Sequence, residues 1–482
     1  MLKEYRDRFR KFRAPPHRAP HIRRVLLLSD LHMDYPANQE WLRNLCASNN
    51  DNENDDVVGH NATDRQTMMI VAGDVSHDLD ILRWTFRTLK SRYGEVAFTP
   101  GNHELWLDGA SRHGHKVATR LDADDDDVVR CRSSGAGDGC GDSVEKLDKV
   151  LQLCADEGVR IGPVKVGGSR ASSGFSRGEV PLWVVPLLSW HHPSFDTEPP
   201  IERWGGIPSA RKVVADYRRT AWPSPLSSLD DSAANFIDGL NDVILDFPDI
   251  DDADDEGATL LTFSHFLPRV ELLPEKRYLS LPTLPSCVGS AFLEERLRRS
   301  RRRSLSERAD GSGGGAIRHL HAFGHSHLAW DLTLDGVRYV HVPLAYPREW
   351  EQRRRSLEIG SMRGEAGGER RPVCVWEQPV GGEKGIKNDE SGGGSPAMTT
   401  AGFPSRWLGG WWSKYYTVVP RQPDRNNELA PWAARRFRRL PGGEIEDFDH
   451  AKVEEKYQLQ CPPTSGWVAG TGGWYEWRGN RK

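Results

Sequence analysis

The segment TMMIVAGDVSHDLDILRWTFRTLKSRYGEVAFTPGNHE, residues 67–104, decides the fold. It begins and ends with apolar runs of strand length, TMMIVAGD and EVAFTPGNHE, and each run closes in polar residues. Between the runs, apolar residues recur at helical spacing: Leu79, Leu82, Phe86, Leu89 and Tyr93. Ser76 or Asp78 can cap the start of this helix, and Gly94 can end it. The order of strand, helix and strand predicts a β-α-β unit.

Three more apolar runs of strand length occur along the chain: RVLLLSD (24–30), ATLLTFSH (258–265) and IRHLHAFGHSH (317–327). Short runs without alternation are typical of strands covered on both faces, so they predict a layered α/β domain. Helical patterns lie near residues 38–47, 143–156, 208–219, 232–247 and 289–299. We also expect strands near 159–166 and 181–188, and a hairpin over 332–342 that turns at Asp335-Gly336.

The composition indicates a soluble enzyme-sized chain, with 482 residues, 37% hydrophobic content and a net charge of −4. The acidic blocks 49–56, 122–127 and 249–256 and the basic run 298–304 fall between the predicted elements, and we interpret them as disordered surface insertions. No apolar stretch is long enough to span a bilayer, which needs about 20 residues. Seven scattered cysteines without a CxxC pair indicate a reduced, cytoplasmic chain without a cysteine zinc site.

Polar residues suited to binding metal ions end all five apolar runs. Ligands of open α/β sheets bind beyond the carboxyl ends of the strands, where such side chains converge. The residues found there are Asp30, His32, Asp74, Asn102, His103, His265, His325 and His327. Nitrogen and oxygen ligands without thiolate suit Fe, Mn or Zn. A DxH or HxH pair points both side chains the same way if the backbone stays extended, and a glycine before Asp74, Asn102 and His325 lets backbone pass close to the cluster.

One such pair is weak evidence, because a lone histidine after a strand is more often a hydrogen-bonded structural residue. The ordered series is specific: DLH (30–32), GD (73–74), GNHE (101–104), SH (264–265) and GHSH (324–327). This series resembles the calcineurin-like metallophosphoesterase superfamily, and the resemblance covers about residues 24–347. It implies a four-layer α/β/β/α sandwich with two metal ions at the strand ends.

The resemblance also implies the role of each ligand. Asp30, His32 and His327 would hold one ion, Asn102, His265 and His325 would hold the other, and Asp74 would bridge them. Two such ions clamp the attacking and leaving oxygens of an in-line displacement and acidify a bridging water to hydroxide, which is the expected nucleophile. The predicted cofactors are therefore two divalent or mixed-valence ions.

His103 is not needed as a ligand in this scheme. Its place beside Asn102 would aim it at the phosphate, so we assign it as the general acid or transition-state donor, with a structural role as the alternative. Glu104 is expected to cap or orient rather than to react.

The sequence does not identify the substrate. Protein phosphatases of the superfamily carry arginines in GDxVDRG and RGNHE, whereas this chain has GDVSHD (73–78) and PGNHE (100–104), which disfavours that class. Possible substrate contacts are Arg269, His77, His191, His192 and Arg348, each with a structural role as an equal alternative. We expect a small phosphoester or nucleotide, either monoester or diester. LLSWHHPSFD, SHFLPR and VPLAYPREW resemble uncharacterised members of the superfamily, from which no substrate transfers.

These observations divide the chain into four parts: a basic N-terminal arm (1–23), favoured over a transit peptide, a catalytic domain (24–358), a flexible Gly-rich linker (359–402) and a Trp-rich tail (403–482). The tail is expected to pack back onto the domain, with docking of a protein partner as the alternative. Two alternative functions are an inactive scaffold that binds a protein and a nuclease that uses the basic run. The net negative charge makes nucleic acid an unfavoured partner.

Overall fold

The computed structural model describes residues 2–47, 64–107, 139–167, 181–246, 259–304, 319–352, 354–357, 370–378, 402–403 and 410–457. The three acidic blocks and the last part of the tail, 458–482, lie outside these ranges. The helices are α1 (Leu2–Phe9), α2 (Pro36–Ala47), α3 (Leu79–Arg92), α4 (Ser143–Asp156), α5 (Ala210–Val213), α6 (Asp216–Arg219), α7 (Ser232–Ile244), α8 (Ala291–Ser304), α9 (Pro347–Gln352), α10 (Arg354–Leu357), α11 (Trp411–Val418), α12 (Pro431–Ala434) and α13 (His450–Tyr457).

The strands are β1 (His17–Ala19), β2 (Arg24–Leu28), β3 (Asp64–Ala72), β4 (Tyr93–Thr99), β5 (Val164–Val166), β6 (Leu182–Pro186), β7 (Trp204–Gly205), β8 (Thr259–Phe263), β9 (His319–Phe323), β10 (Trp330–Leu334), β11 (Val337–His341), β12 (Val373–Glu377), β13 (Glu428–Leu429), β14 (Arg438–Arg439) and β15 (Glu444–Ile445). Two sheets form the centre of the fold. One has the order β12-β2-β3-β4 and the other the order β1-β5-β6-β8-β9-β11-β10.

Parallel pairing brings the strand ends that carry polar residues to one edge. In the smaller sheet β2, β3 and β4 run parallel, and in the larger sheet β6, β8, β9 and β11 run parallel. The bridge between Ser29 and Pro343 joins the two sheets directly at this edge. The predicted β-α-β unit is confirmed as β3, α3 and β4, and Asp78 is the N-cap of α3, because its carboxylate accepts from the backbone N–H groups of Asp80 and Ile81.

Two apolar cores cover the larger sheet from opposite sides. Along β6, Leu182 and Val184 belong to the core shared with the smaller sheet and with α2 and α3. Trp183 and Val185 belong to the other core, which includes α1, α7 and α8. Because successive side chains of a strand point to opposite faces, β6 is buried on both sides. The predicted four-layer α/β/β/α class is confirmed.

The segment predicted as one helix over 208–219 is two short helices. Val214 adopts extended backbone, with φ −80° and ψ 131°, and separates α5 from α6. The break turns the Asp216 carboxylate into the interior, where Asn102 and Trp106 donate to it.

The prediction of a linker over residues 359–402 is wrong for its described part. Residues 373–377 form β12, an edge strand that pairs antiparallel with β2. Val373, Val375 and Trp376 are buried there, because the edge of β2 offers unpaired backbone groups and an apolar surface. The short apolar run VCVW thus belongs to the central sheet.

The first half of the tail packs onto the domain, as expected. Trp411 and Trp412 on α11 are buried in the same core as Trp330 of β10, and the Ser413 hydroxyl accepts from the backbone N–H of Asp331 at 3.2 Å. Trp407, Trp467, Trp474 and Trp477 lie outside the described residues. None of the helices in the described ranges combines the length and the hydropathy of a bilayer-crossing segment.

Candidate metal centre

All of the predicted metal ligands meet at the edge where the parallel strands end. Each follows its strand by two to four residues: Asp30 and His32 follow β2, Asp74 follows β3, Asn102 follows β4, His265 follows β8, and His325 and His327 follow β9. Their carboxylate and imidazole groups fall, together with His103, into three overlapping groups of closely spaced donors.

The first group consists of Asp30, His32 and His327, whose ligand atoms lie within 4.8 Å of one another. The Nε2 atoms of the two histidines are 2.8 Å apart, and His327 Nε2 is 3.6 Å from Asp30 Oδ1. Two imidazoles that bind one ion at about 2.1 Å and at right angles place their nitrogens about 3 Å apart. The separation of these nitrogens therefore fits a shared cation.

The second group contains Asn102, His265 and His325. Asn102 Oδ1 is 2.9 Å from His265 Nε2 and 2.9 Å from His325 Nδ1, and these two nitrogens are 3.2 Å apart. A neutral amide oxygen and two imidazole nitrogens face one point, which is the donor set of an Fe, Mn or Zn site.

Asp74 lies between the two groups. Its Oδ1 is 3.3 Å from His265 Nε2, and the carboxylate also forms a compact set with His32 and His103, with all donor atoms within 4.8 Å of one another. One carboxylate thus reaches both groups, as a bridging ligand must.

The backbone at these ligands is strained, and here the structure differs from the extended geometry expected for the DxH and HxH pairs. Positive φ angles occur at Asp30 (53°), His32 (44°), Asp74 (55°), His325 (73°) and His327 (50°). Non-glycine residues reach this left-handed region at a cost of about 1–3 kcal/mol each, and such residues concentrate at functional sites. Both residues of each pair are left-handed, so the paired side chains still converge.

Three glycines provide the close approach that was predicted for them. A Cβ on Gly324 would lie 2.8 Å from His265 Nδ1, and one on Gly73 would overlap the same ring. A Cβ on Gly101 would overlap the Asp74 carboxylate. The cluster therefore requires glycine at these positions because a methyl group would occupy the space of a donor side chain.

Each histidine in the cluster is oriented by a partner on its other nitrogen or by a neighbouring ring. His265 Nδ1 is 2.9 Å from the carbonyl of Ala72, and His325 Nε2 is 3.2 Å from the carbonyl of Cys287. His327 Nδ1 is 2.7 Å from Glu349 Oε2. Such contacts set the tautomer and the direction of a metal-binding imidazole.

Sequence reasoning missed three carboxylate or imidazole groups behind the ligands. His341 Nε2 is 2.9 Å from Asp30 Oδ2, Asn102 Nδ2 donates to Asp216 Oδ1 at 2.8 Å, and Glu349 holds His327. His341 ends a strand of the predicted hairpin and Glu349 follows Arg348 in PREW. Only the strand-end position of His341 offered a signal.

The charges of the cluster suit cation binding. Burial raises the pKa of Asp74, but His265 and His103 outweigh it and hold that pKa well below its usual value. Burial lowers the pKa of His32 to about 4 and that of His325 to about 3. Burial also lowers the pKa of His265, but Asp74 overcomes this and raises it to about 9. Metal ligands must be deprotonated, so a cation at this point would displace the proton of His265.

Glu104 has the orienting role expected for it. Its carboxylate accepts from the backbone N–H groups of Asp74 at 3.1 Å, Val75 at 2.7 Å and Gly101 at 2.6 Å. These bonds join the loops after β3 and β4. Burial and the nearby Asp74 raise the pKa of Glu104 to about 7.

His103 lies at the border of the cluster. It shares a group of closely spaced donors with His32 and Asp74 but does not belong to the group of Asn102, His265 and His325. Its Nε2 is 3.7 Å from Asp74 Oδ2 and 3.4 Å from the Tyr346 hydroxyl, and its ring packs on Trp106 with centroids 3.6 Å apart. Burial lowers the pKa of His103 well below its usual value, which leaves the imidazole neutral at pH 7.

Two of the predicted substrate contacts, Arg269 and His192, bind other groups of the protein. The Arg269 guanidinium pairs with Glu271 at 2.7 Å and with Asp335 at 2.5 Å, because these carboxylates surround it on the outer part of the larger sheet. His192 accepts from the backbone N–H of Ala291 at 2.9 Å. Neither residue lines the pocket over the cluster, so the predicted contact of Arg269 and His192 with substrate is not supported.

His191 and His77 lie near the cluster rather than in its pocket. His191 is fully buried, with Nε2 3.7 Å from Asp216 Oδ2, so it lies behind the pocket wall. His77 Nδ1 is 3.3 Å from Asp34 Oδ1, and its ring centroid is 6.5 Å from that of Trp106.

A pocket with an empty volume of about 530 Å³ opens over the cluster. Its lining consists of Asp74, Asn102, His103, Trp106, Val214, Ala215, Asp216, Leu284, Cys287, His325, His327, Tyr346 and Glu349. These described lining residues include no arginine or lysine. The carboxylates of the described lining are Asp74, Asp216 and Glu349.

Comparison with known proteins finds similarity to one family of phosphoesterases. Residues 23–153 match the sequence model of the calcineurin-like phosphoesterases, in agreement with the resemblance drawn from the motifs. A curated relative is the [acyl-carrier-protein] phosphodiesterase PptH of Mycobacterium tuberculosis, 24% identical over 332 residues that cover 68% of this chain and 79% of that protein. The crystal structure of phosphopantetheinyl hydrolase (PptH) from the same organism is 19% identical, covers 70% of this chain and 94% of its own, and superposes with a TM-score of 0.40.

Proposed function

We propose that this chain is a phosphodiester hydrolase that works with two bound divalent cations. The observation that carries the proposal is the convergence of buried carboxylate, amide and imidazole donors from five strand ends into overlapping groups, two of which contain Asp74. Hydrolysis of phosphoesters is the chemistry of the family, and the chain keeps a suitable residue at each ligand position.

The ligands would divide as their groupings suggest. Asp30, His32 and His327 would hold one cation, Asn102, His265 and His325 the other, and Asp74 would touch both. Cations so held supply Lewis acidity and an acidified water, with Fe, Mn and Zn matching the donors. Asp30 is suited to the task because the hydrogen bond from His341 overcomes burial and keeps the pKa of its carboxyl low.

The remaining residues of the pocket would orient the substrate. His103 faces the pocket beside Asp74, and we propose that its imidazole N–H donates to the leaving oxygen. Trp106 and Tyr346 flank His103 and fix its ring. The recessed position of the cluster limits access of bulk water, which strengthens electrostatic interactions at the reacting phosphate.

The pocket lining favours a diester over a monoester. A phosphomonoester carries close to two negative charges at pH 7, a diester carries one, and enzymes commonly hold the extra charge with arginine or lysine. The described lining has neither. The relative from Mycobacterium tuberculosis is named as a phosphodiesterase, and a phosphodiester of the phosphopantetheinyl type is therefore the first substrate to test.

The test is metal analysis of the purified protein followed by assays with p-nitrophenyl phosphate, bis-p-nitrophenyl phosphate and nucleotides in added Mn²⁺. Activity should be highest on the bis-ester. Asp74→Asn should abolish it and lower the bound metal, whereas Asp80→Asn, at an exposed carboxylate on α3, should change neither. An active Asp74→Asn variant would refute the proposal.

The role of His103 has a separate test. His103→Gln should lower kcat by roughly 10²–10³-fold, the usual contribution of a positioned hydrogen-bond donor to developing negative charge, and should leave the metal content unchanged. Loss of metal from this variant would show that His103 is a ligand instead.

A further inference from the structure

Five basic residues lie close in sequence to residues that line the pocket. Arg211 and Lys212 lie on α5, Arg218 and Arg219 on α6, and Arg348 on α9. We call these five residues the basic rim. Arg211, Lys212, Arg218 and Arg348 are exposed, and Arg219 is half-buried.

The rim is fixed to the pocket wall by contacts and by sequence. The residues between the cations of α5 and α6, Val214 to Asp216, line the pocket. The Arg219 guanidinium lies 4.5 Å from the centroid of Trp106, and that of Arg348 lies 5.5 Å from the centroid of Tyr346. Since Trp106 and Tyr346 both contact His103, cations stand on both sides of this residue.

The charges of the rim are not neutralised within the described part of the chain. Buried arginines elsewhere are paired, such as Arg296 with Asp238 and Arg338 with Asp331, each at 2.7–2.8 Å. No described carboxylate comes within ion-pair distance of the rim cations, and Arg218 donates instead to the backbone carbonyl of Lys212 at 3.0 Å. Unpaired charges of one sign around a cleft attract a partner of the opposite sign.

The centre itself is recessed. Asp30, His32 and His265 are fully buried, and the pocket above them is narrowed by Val214, Leu284 and Tyr346 in its lining. A phosphate must therefore enter on a slender arm, while the body to which the arm belongs stays outside, against the rim.

The aromatic rings of the mouth argue against a nucleic acid as that body. Proteins that bind single strands stack bases on exposed aromatic faces. Here the Trp106 ring is covered by His103 and Arg219, and the Tyr346 ring is stacked on His32 with centroids 4.2 Å apart and covered by Arg348. Neither ring offers a free face to a base.

We propose that the basic rim binds an acidic protein whose phosphodiester-linked arm enters the pocket. The inference rests on the proposed function, since the arm is the substrate of the same centre. The rim recognises the protein body by charge and the pocket cleaves the arm, so the two parts of the substrate are recognised separately.

The experiment compares two substrates of one enzyme: bis-p-nitrophenyl phosphate, and an acyl carrier protein bearing the phosphopantetheinyl arm. In the triple variant Arg211→Ser, Lys212→Ser, Arg218→Ser, kcat/KM for the carrier protein should fall by roughly tenfold or more, and the loss should shrink as salt is raised. The ratio of the two kcat/KM values is the readout. A matched triple variant, Arg18→Ser, Arg43→Ser, Arg65→Ser, removes exposed cations on β1, on α2 and at the amino end of β3, and should leave the ratio unchanged.

Distinct results overturn the two proposals. No activity of the unmodified enzyme on either substrate refutes the proposed function. Activity on both with an unchanged ratio in the rim variant refutes the role of the rim alone. A rim variant that loses cleavage of a single-stranded oligonucleotide but not of the carrier protein shows that the rim serves nucleic acid.

The chain's own aspartates at 124–127 are also an acidic candidate for the rim. Replacing all four by asparagine should leave the effect of the rim variant intact. If the effect disappears in that background, the rim serves this internal segment and the proposal is wrong.

Discussion

The carboxylate of Glu349 gives the sharpest test of how the centre is supported. Its Oε2 lies 2.7 Å from His327 Nδ1 and 3.3 Å from the backbone nitrogen of Tyr346, and the residue is only 3% exposed. In Glu349→Gln the amide oxygen keeps a hydrogen bond to the imidazole, but the negative charge is lost. The substitution therefore isolates the electrostatic contribution of the carboxylate to His327 as a ligand.

Partners of this kind typically contribute 10- to 100-fold to metal affinity. We expect Glu349→Gln to weaken one cation by about that factor, equivalent to about 1.4–2.7 kcal/mol. Competition with a metal chelator of known affinity, followed by metal analysis, measures the change. Two binding events should be visible, and only the one that involves His327 should weaken.

A matched control is Glu95→Gln. Glu95 is similarly buried, at 8% exposed, and pairs with Arg160 at 2.9 Å, but it lies near the start of β4, away from the edge that carries the cluster. Its substitution should leave both affinities unchanged. Equal metal affinity in Glu349→Gln and the unmodified protein would show that Glu349 does not support a metal ligand.

Three further predictions concern stability. Gly101→Ala should destabilise the protein by about 1–3 kcal/mol in urea denaturation, because the added methyl overlaps Asp74, and a neutral result would mean that the loops after β3 and β4 move freely. Trp376→Ala, at a fully buried side chain of β12, should cost about 3–5 kcal/mol by the same measurement; a loss below about 1 kcal/mol would contradict the placement of β12 in the sheet. Removal of metal with a chelator should lower the melting temperature, since a ligand present at 100 times its Kd stabilises the folded state by about 2.7 kcal/mol. An unchanged melting temperature would argue against tight metal binding by the folded chain.

The sequence by itself determined the layered fold and the candidate ligands. Short apolar runs without alternation favour strands buried on both faces, and each such run ends where a parallel sheet presents its ligands. The helical spacing after Asp74 and the cap at Asp78 are local properties, which is why α3 could be placed from a few residues. The ligands Asp30 and His325 were visible because their identity and strand-end position carry the signal.

Only the tertiary structure decided which side chains stand behind and around those ligands. The pairing of Asp30 with His341 and of Asn102 with Asp216 joins residues far apart in sequence, and no local pattern encodes such contacts. The same holds for the pairing of the Arg269 guanidinium with Asp335.

The left-handed backbone at the ligands and the edge strand β12 were also beyond sequence reasoning. A positive φ at Asp30 or His327 is unfavourable locally and persists only because the surrounding packing and hydrogen bonds impose it. Strand β12 is short, and its place depends on the open edge of β2, more than three hundred residues earlier in the chain. Local sequence patterns therefore determine the helices and strands and the residues at their ends. Long-range packing determines which of these residues contact one another to form the site.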